Sequence, residues 1–331
     1  MNRDTAKILV IGAGVNGSIC AVALHNAGVD VTVLARGQHY EELRAGGIII
    51  EDPFKNTRTV TQVPVTDRLD PQDRYDYILV VVRKNQVPAL LPALAANGSP
   101  NVVFMVNNPS GPEVYTAALG QRVMLGFVFG AGKRDGSLIR GISFSANSLM
   151  GRLWPSPFGE VDGTLTPRLR RLVNILRGAG LPAGICRSMT DYLATHASLV
   201  APLGAFALQR GYDPAALARY TDADYALIVN AMREVLDVLP AVGFRVYPPS
   251  MVILKIIPRF LLVAGLRAAI PSKFMEVGGM YHISQAPDEM RQLGAELLTL
   301  VERSGLPAPV LRGLLAANGS EATWKLLVEE V

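Results

Sequence analysis

Cysteine is scarce in this chain of 331 residues, and the two that occur, Cys20 and Cys186, lie far apart. They form neither a disulfide framework nor a C-x-x-C motif for metal or redox chemistry. We therefore expect two reduced thiols and no metal site. Because thiols stay reduced in the cytoplasm, we also expect a cytoplasmic protein.

Long apolar runs are absent as well. Residues 251–270 come nearest to one, but three basic residues and a proline interrupt them: Lys255, Pro258, Arg259 and Arg267. A membrane-spanning helix needs about 20 predominantly apolar residues. The run therefore predicts an amphipathic or buried helix pair and no membrane partner. Residues 1–7 lead directly into an apolar strand, so we expect no signal peptide.

Charge of one sign is not concentrated anywhere. The 32 lysines and arginines exceed the 28 acidic residues by only four, and they are scattered along the chain. Nucleic-acid-binding proteins cluster their positive charge, so we expect no nucleic acid partner. An anionic cofactor or substrate is enough to explain the excess. Half of the residues are hydrophobic, which is sufficient for the cores of two domains.

What the chain does contain is a glycine-rich turn directly after an apolar strand, in residues 8–17. Its spacing is G-x-G-x-x-G, and a helical segment follows up to residue 27. The first glycine permits a tight turn, the second lets a pyrophosphate approach the backbone, and the third lets the helix pack closely on the strand. The residues predicted to contact the dinucleotide here are Gly12, Gly14, Val15, Asn16 and Gly17.

The residue after the second strand indicates which dinucleotide is bound. An acid at this point binds the ribose of NAD, whereas an arginine pairs with the 2′-phosphate of NADP. Arg36 occupies the position, so NADP(H) is the expected cofactor. Gln38, His39 and Tyr40 are candidates for hydrogen bonds or stacking on the adenine. The alternative is that Arg36 is a solvated loop residue.

The organisation changes near residue 186. Before it, short apolar strands at residues 77–82, 102–106 and 123–128 alternate with helical segments, which predicts a Rossmann domain with a doubly wound, mostly parallel sheet. Additional antiparallel strands are expected within residues 139–153. After it, the periodicity is helical throughout. We therefore predict a nucleotide-binding domain over residues 1–186 and an all-α domain for substrate binding or dimerisation over residues 187–331. A homodimer is one option, and the sequence leaves the oligomeric state open.

Several local motifs agree with one known family. The chain reads Gly-Ala-Gly-Val-Asn-Gly at residues 12–17 and Ala-Gly-Val-Asp-Val-Thr-Val-Leu-Ala-Arg at residues 27–36. With a helical second domain, this resembles the ketopantoate reductase family over nearly the whole chain. The resemblance implies a cofactor-binding lysine after the third strand, where Arg83 stands with Lys84 beside it. It also implies an asparagine near the nicotinamide, matched by Asn107 or Asn108.

The resemblance implies catalytic residues in the second domain as well. Glu289 matches the family's active-site glutamate, which resembles a ligand of the substrate hydroxyl. The alternative for Glu289 is that it only favours the helix dipole. The positions of the family's lysine and two asparagines hold apolar residues in this chain: Leu193, Ala197 and Ala201.

Two histidines could supply acid–base chemistry here. His196 lies on nearly the same helix face as Leu193 and is a candidate acid or base; alternatively, it is a structural histidine bonded to backbone. His282 either approaches the same site or caps a helix.

We therefore expect an NADP(H)-dependent oxidoreductase that transfers a hydride between the cofactor and a carbonyl or secondary alcohol. Because the polar groups are lost at three positions, the small-molecule substrate is expected to be bulkier or more apolar than ketopantoate. Two alternatives stay open. The chain is a true 2-dehydropantoate 2-reductase, or it is a catalytically silent NADP(H)-binding sensor.

Overall fold

The structure is a computed structural model that describes residues 6–153, 155–211, 213–217 and 219–316. These residues fold into two compact units. The first contains the chain up to Val106 together with Pro112–Met189. The second contains the segment Asn107–Gly111 and the chain from Thr190 onward. Each unit has its own hydrophobic core.

The first unit alternates strands with helices. Its strands are β1 (Lys7–Ile11), β2 (Asp30–Leu34), β3 (Ile48–Asp52), β4 (Thr57–Thr61), β5 (Val65–Thr66), β6 (Tyr77–Val80), β7 (Val102–Phe104), β8 (Val123–Gly126), β9 (Gly130–Asp135), β10 (Leu138–Ser143), β11 (Ser156–Glu160) and β12 (Ala183–Ile185). Its helices are α1 (Val15–Asn26), α2 (Gly37–Gly46), α3 (Leu91–Ala96), α4 (Glu113–Leu119), α5 (Leu149–Leu153) and α6 (Pro167–Gly178).

Eight strands form one sheet in the order β12-β11-β8-β7-β6-β1-β2-β5. All neighbouring pairs are parallel except β8 with β11. β6 and β8 are buried along their whole length, as expected for strands covered on both faces. β1 lies between β2 and β6, so the strand order reverses there. Ligands of such sheets bind beyond the carboxyl ends of the strands at this reversal.

A second sheet of four strands has the order β4-β3-β10-β9. β3 and β4 form a hairpin in residues 48–61, where no strand was predicted from the sequence. Asn56 lies in its turn with a φ of 51°, a left-handed conformation that asparagine tolerates. The antiparallel strands expected within residues 139–153 are confirmed only in part. β10 ends at Ser143, and Leu149–Leu153 form the helix α5 instead of a strand.

The second unit is helical throughout its described part. Its helices are α7 (Met189–Arg210), α8 (Pro214–Leu217), α9 (Asp222–Ala241), α10 (Ile253–Ile256), α11 (Arg259–Ala269), α12 (Lys273–Met275), α13 (Tyr281–Gln285), α14 (Pro287–Ser304) and α15 (Pro309–Ala316). Local sequence signals define both ends of α14: Pro287 starts the helix, and Gly305 ends it with a φ of 68°. The predicted fold class, a Rossmann α/β unit followed by a helical region, is confirmed.

The apolar stretch before residue 270 is broken at Pro258, as its composition predicts. Among the described residues, no single helix has both the length and the apolar character that crossing a membrane requires. Pro249–Ile256 and Arg259–Ala269 meet those requirements only when taken together, and they are bent by 114° relative to each other.

Candidate functional site

The turn after β1 has the geometry of a diphosphate-binding loop. Gly12 has a φ of +105°, and a Cβ there would lie 2.3 Å from the Val81 carbonyl oxygen. A Cβ on Gly17 would lie 1.8 Å from the carbonyl oxygen of Gly12. Both positions therefore require glycine. A Cβ on Gly14 would meet nothing within 4 Å, so this backbone faces the open space that a pyrophosphate needs.

α1 begins immediately after this turn, with Gly14 as its N-cap. No side chain caps the helix, and its first turn contains no acidic residue. The N–H groups of Val15, Asn16 and Gly17 are therefore available to an anion, which the positive end of the helix dipole also favours. The Asn16 side chain has a structural role in addition. Its Oδ1 accepts a hydrogen bond of 2.9 Å from the Gly130 backbone N–H at the start of β9.

Arg36 is the N-cap residue of α2, directly beyond the carboxyl end of β2. Its side chain is exposed, and no hydrogen bond or ion pair of its guanidinium is found among the described residues. A guanidinium with five N–H donors matches the geometry of a phosphate. The assignment of Arg36 to the 2′-phosphate stays a prediction that this position fits.

The structure separates the roles of Arg83 and Lys84. Lys84 is only 9% exposed. Its Nζ lies 3.3 Å from the Tyr115 hydroxyl and 5.3 Å from the centre of that ring, which in turn stacks on Phe104. Arg83 remains partly exposed beyond β6. The geometry therefore favours Arg83 for cofactor binding and an internal role for Lys84.

Asn107 and Asn108 also differ from each other, in the hydrogen bonds of their side chains. The Asn108 side chain is 2% exposed and donates from Nδ2 to the Gly111 carbonyl oxygen at 2.6 Å, which closes a turn. Asn107 Oδ1 is buried and has no hydrogen-bond partner among the described residues. A buried amide oxygen without a partner is costly. Asn107 is therefore the better candidate for an orienting amide.

Glu289 is a buried carboxylate in the first turn of α14, with 2% of its side chain exposed. His282 Nε2 lies 3.3 Å from Glu289 Oε2. Both atoms are buried and their alignment is outside hydrogen-bond geometry, so they form an ion pair when His282 is protonated. The rest of the His282 ring stays accessible, since 42% of its side chain is exposed. Of the two predicted roles for His282, the structure favours the approach to Glu289.

The helix widens into a π turn over Glu276–Met280, immediately before α13 brings His282 to this place. Such single π turns are rare and occur frequently at functional sites. Sequence periodicity gave no sign of this turn. The only signal that could have placed His282 was its position seven residues before Glu289.

His196 lies on α7, where its ring stacks on the Tyr192 ring with centroids 6.1 Å apart. Burial, and to a smaller extent repulsion from the charge of His282, together lower the pKa of His196 to about 4. His196 is consequently neutral at neutral pH. About two helical turns beyond His196, α7 and α14 are in close contact: a Cβ on Gly204 would lie 2.7 Å from Met290 Sδ.

The apolar replacements on α7 are core residues. Leu193 is 2% exposed, and Ala197 and Ala201 are 0% exposed. They therefore fill the interior of the protein and line no open, apolar pocket for a bulkier substrate. Among residues 6–316 with their three gaps, no group of three or more His, Cys, Asp or Glu side chains could hold a metal ion.

Comparison with known proteins gives a consistent result. Residues 8–145 match the model of the family described as ketopantoate reductase PanE/ApbA. A 2-dehydropantoate 2-reductase from Pyrococcus horikoshii is 39% identical over 61 residues. That alignment covers 18% of this chain and 20% of the enzyme. The sequence match to the curated relative is thus confined to about a fifth of its length.

Two solved structures are similar over almost the entire chain. A PanE/ApbA family ketopantoate reductase from Ralstonia eutropha JMP134 has a TM-score of 0.72 at 19% identity, covering 98% of this chain and 99% of that one. A D-mandelate dehydrogenase in complex with NADH and anilino(oxo)acetate has a TM-score of 0.72 at 13% identity, covering 97% and 99%. At these identities the similarity establishes the fold.

Proposed function

We propose that the chain, whose residues 8–145 match the ketopantoate reductase family model, is a divergent member of that family and an NADP(H)-dependent oxidoreductase acting on a carbonyl or a secondary alcohol. The observation that carries the proposal is the turn after β1. Two of its glycines are sterically required, and Gly14 between them faces open space. When bound, the nicotinamide would supply or accept the hydride. The protein must then orient the substrate oxygen and exchange its proton.

The preference for NADP(H) over NAD(H) rests on Arg36. Its exposed guanidinium fits a 2′-phosphate, and the acid that an NAD(H) site carries at this point is missing. The D-mandelate dehydrogenase of similar fold contains NADH, so the fold by itself does not select the phosphate.

We propose that the pair of His282 and Glu289 exchanges the proton with the substrate oxygen. Reduction of a carbonyl places negative charge on its oxygen, and one proton must reach that oxygen to give the alcohol. The imidazole of His282, next to the Glu289 carboxyl group, can hold such a proton. The partly exposed ring can take a replacement proton from solvent.

His196 and Asn107 would orient the substrate. His196 is neutral at neutral pH because its pKa is lowered to about 4. A neutral imidazole still donates one N–H, and it can polarise a carbonyl in this form. The unsatisfied amide oxygen of Asn107 can accept a hydrogen bond from a hydroxyl or from the cofactor amide.

The proposed substrate is a carbonyl compound other than ketopantoate. Leu193 and Ala197 offer neither a proton nor a hydrogen bond, and their burial removes them from contact with any substrate. A substrate carboxylate would then need donors from elsewhere in the chain. The true 2-dehydropantoate 2-reductase and the silent NADP(H)-binding sensor are the competing proposals.

A substrate screen tests all three. Purified protein is mixed with NADPH and a panel of 2-oxo acids, ketones and ketopantoate, or with NADP⁺ and the matching alcohols, and absorbance at the nicotinamide band is followed. We expect turnover of at least one other carbonyl compound. The rate on ketopantoate should be about tenfold to a hundredfold lower than on that compound, because Leu193 and Ala197 offer no hydrogen bond to the ketopantoate carboxylate.

Each competing proposal has its own outcome. Ketopantoate as the best substrate, with a turnover near the ~10 s⁻¹ of typical enzymes, would establish the reductase of that name. Tight NADPH binding without turnover of any compound would support the sensor. Failure to bind either nucleotide would overturn the proposed function altogether.

A further inference from the structure

His39 connects the glycine turn to the second sheet. It is the third residue of α2, three positions after Arg36. Its Nε2 lies 3.0 Å from the carbonyl oxygen of Ala13, inside the glycine turn. A carbonyl oxygen only accepts hydrogen bonds, so Nε2 must carry the proton. In the neutral ring, Nδ1 is then an acceptor.

Arg134, on β9, supplies the donor that this acceptor requires. Its Nη1 lies 3.3 Å from His39 Nδ1 and also donates to the Gly136 carbonyl oxygen at 3.0 Å. One further titratable group faces the ring, because Glu42 Oε2 lies 3.4 Å from Nδ1. Glu42 becomes a true partner only if Nδ1 is protonated. In the neutral ring, the contact with Arg134 is the one that satisfies Nδ1.

β9 is held to the nucleotide end of the main sheet at two places. Asn16 accepts a hydrogen bond from the Gly130 N–H, and His39 contacts Arg134. Gly130 is the first residue of β9 and Arg134 is the last but one, so the strand is anchored near both of its ends. These two contacts keep Arg134 beside the first turn of α2, where Arg36 is the N-cap.

Arg134 makes no direct contact with a carboxylate, although Glu42 contacts the same imidazole nitrogen as Arg134. No ion pair of Arg134 is found among the described residues, and its two hydrogen-bond contacts are with a carbonyl oxygen and an imidazole. Two of its five donors are occupied, which leaves the others for a ligand. By contrast Arg140, on the neighbouring β10, pairs with Glu51 at 3.1 Å.

We propose that Arg134 is a second arginine for the 2′-phosphate of NADP(H), and that His39 is the positioning residue that holds Arg134 there. The proposal rests on the proposed function, because it takes NADP(H) as the cofactor. A phosphate monoester carries close to two negative charges at neutral pH. Arg36 and Arg134 together match that charge, and each can form a bidentate contact.

The test compares NADPH with NADH by calorimetric titration of the full chain. Arg134→Gln should weaken NADPH binding by about tenfold to a hundredfold, the range of charge-assisted hydrogen bonds, and leave NADH binding unchanged. Arg134→Lys should recover part of the loss, since it keeps the charge without the planar fork. The matched control is Arg140→Gln, an exposed arginine of the same sheet, which should change neither affinity.

The His39→Gln substitution tests whether His39 positions Arg134 or only supports the local structure. Because His39 contacts both the glycine turn and Arg134, its loss should weaken both nucleotides, and NADPH more than NADH. In the Arg134→Gln background, the additional effect of His39→Gln on the ratio of the two affinities should disappear. The NADPH advantage of the wild type should also shrink as salt is raised.

The failures of the two proposals are distinguishable. If the wild type binds NADPH but Arg134→Gln weakens NADPH and NADH equally, or neither, the role of Arg134 is wrong and the proposed function stands. If the wild type prefers NADH or binds neither nucleotide, the choice of cofactor is wrong and the role of Arg134 falls with it. A thermal melt of each variant verifies that it is folded.

Discussion

His282 Nε2 lies 3.3 Å from Glu289 Oε2, although the two residues belong to different helices, α13 and α14. A protonated His282 is attracted by the carboxylate, whereas its charge repels a second proton from His196. One histidine can thus carry the charge while the other stays neutral. The division suits a site in which one imidazole holds a proton and another donates a hydrogen bond.

Acid should destabilise the protein through His196. Burial lowers the pKa of His196 to about 4, while an exposed histidine in the unfolded chain titrates near 6.5. Between these values the unfolded state binds more protons, so the free energy of unfolding falls as pH falls. At 1.36 kcal/mol per pKa unit, the loss from pH 7 to pH 5 is about 2 kcal/mol. Urea denaturation at the two pH values measures it.

The control for this experiment uses the same chain. His196→Gln removes the titrating group and should flatten the pH dependence by about the same amount. His25→Gln, in α1 of the first unit, should leave it unchanged. An unaltered slope in His196→Gln would show that His196 is not held neutral by the fold.

Glu289→Gln should impair the reaction without impairing cofactor binding. Glutamine keeps the shape of the side chain but cannot stabilise a protonated His282. On a substrate found in the screen, we expect kcat to fall by about 10²-fold or more, with the NADPH affinity unchanged. Asp288→Asn is the matched control, because Asp288 is the exposed neighbour in the same helical turn. Equal effects of the two substitutions would reduce the role of Glu289 to that of a helix-dipole residue.

Arg36→Ala should weaken NADPH binding by about tenfold or more and leave NADH binding nearly unchanged. Only NADPH presents a phosphate to this guanidinium, and charge-assisted hydrogen bonds are the strong ones. Calorimetric titration of both nucleotides measures the difference. Arg44→Ala is the control, since Arg44 is exposed on the same helix and pairs with Glu41 at 2.9 Å. Parallel losses for both nucleotides would show that Arg36 does not recognise the 2′-phosphate.

The two neighbouring asparagines should respond differently to alanine. Asn108→Ala removes the hydrogen bond that closes the turn to Gly111, so it should cost about 1–3 kcal/mol of stability. Asn107→Ala removes an oxygen that has no partner, so stability should stay level or rise while kcat falls. Thermal melts and initial rates separate the two. The assignment is wrong if Asn107→Ala is the more destabilised variant.

Local sequence patterns were enough to predict the α/β fold of the first half. The turn after β1, the alternation of strands and helices, and the change to helices beyond residue 186 all depend on short-range rules. These rules are glycine stereochemistry, the periodicity of apolar residues and helix caps. The β3–β4 hairpin escaped prediction because β4 is mostly exposed and polar, and because β3 pairs in parallel with β10, which is distant in the sequence.

The sequence by itself determined the glycine turn, the arginine after the second strand and the family resemblance, since each is written in consecutive residues. Only the tertiary structure decided the rest. It buried Lys84 against Tyr115, assigned Asn108 to a turn, placed His282 beside Glu289 and joined His39 to Arg134. Each of these contacts depends on how helices and strands pack, and the free energy of packing is shared among many residues. No short stretch of sequence contains that information.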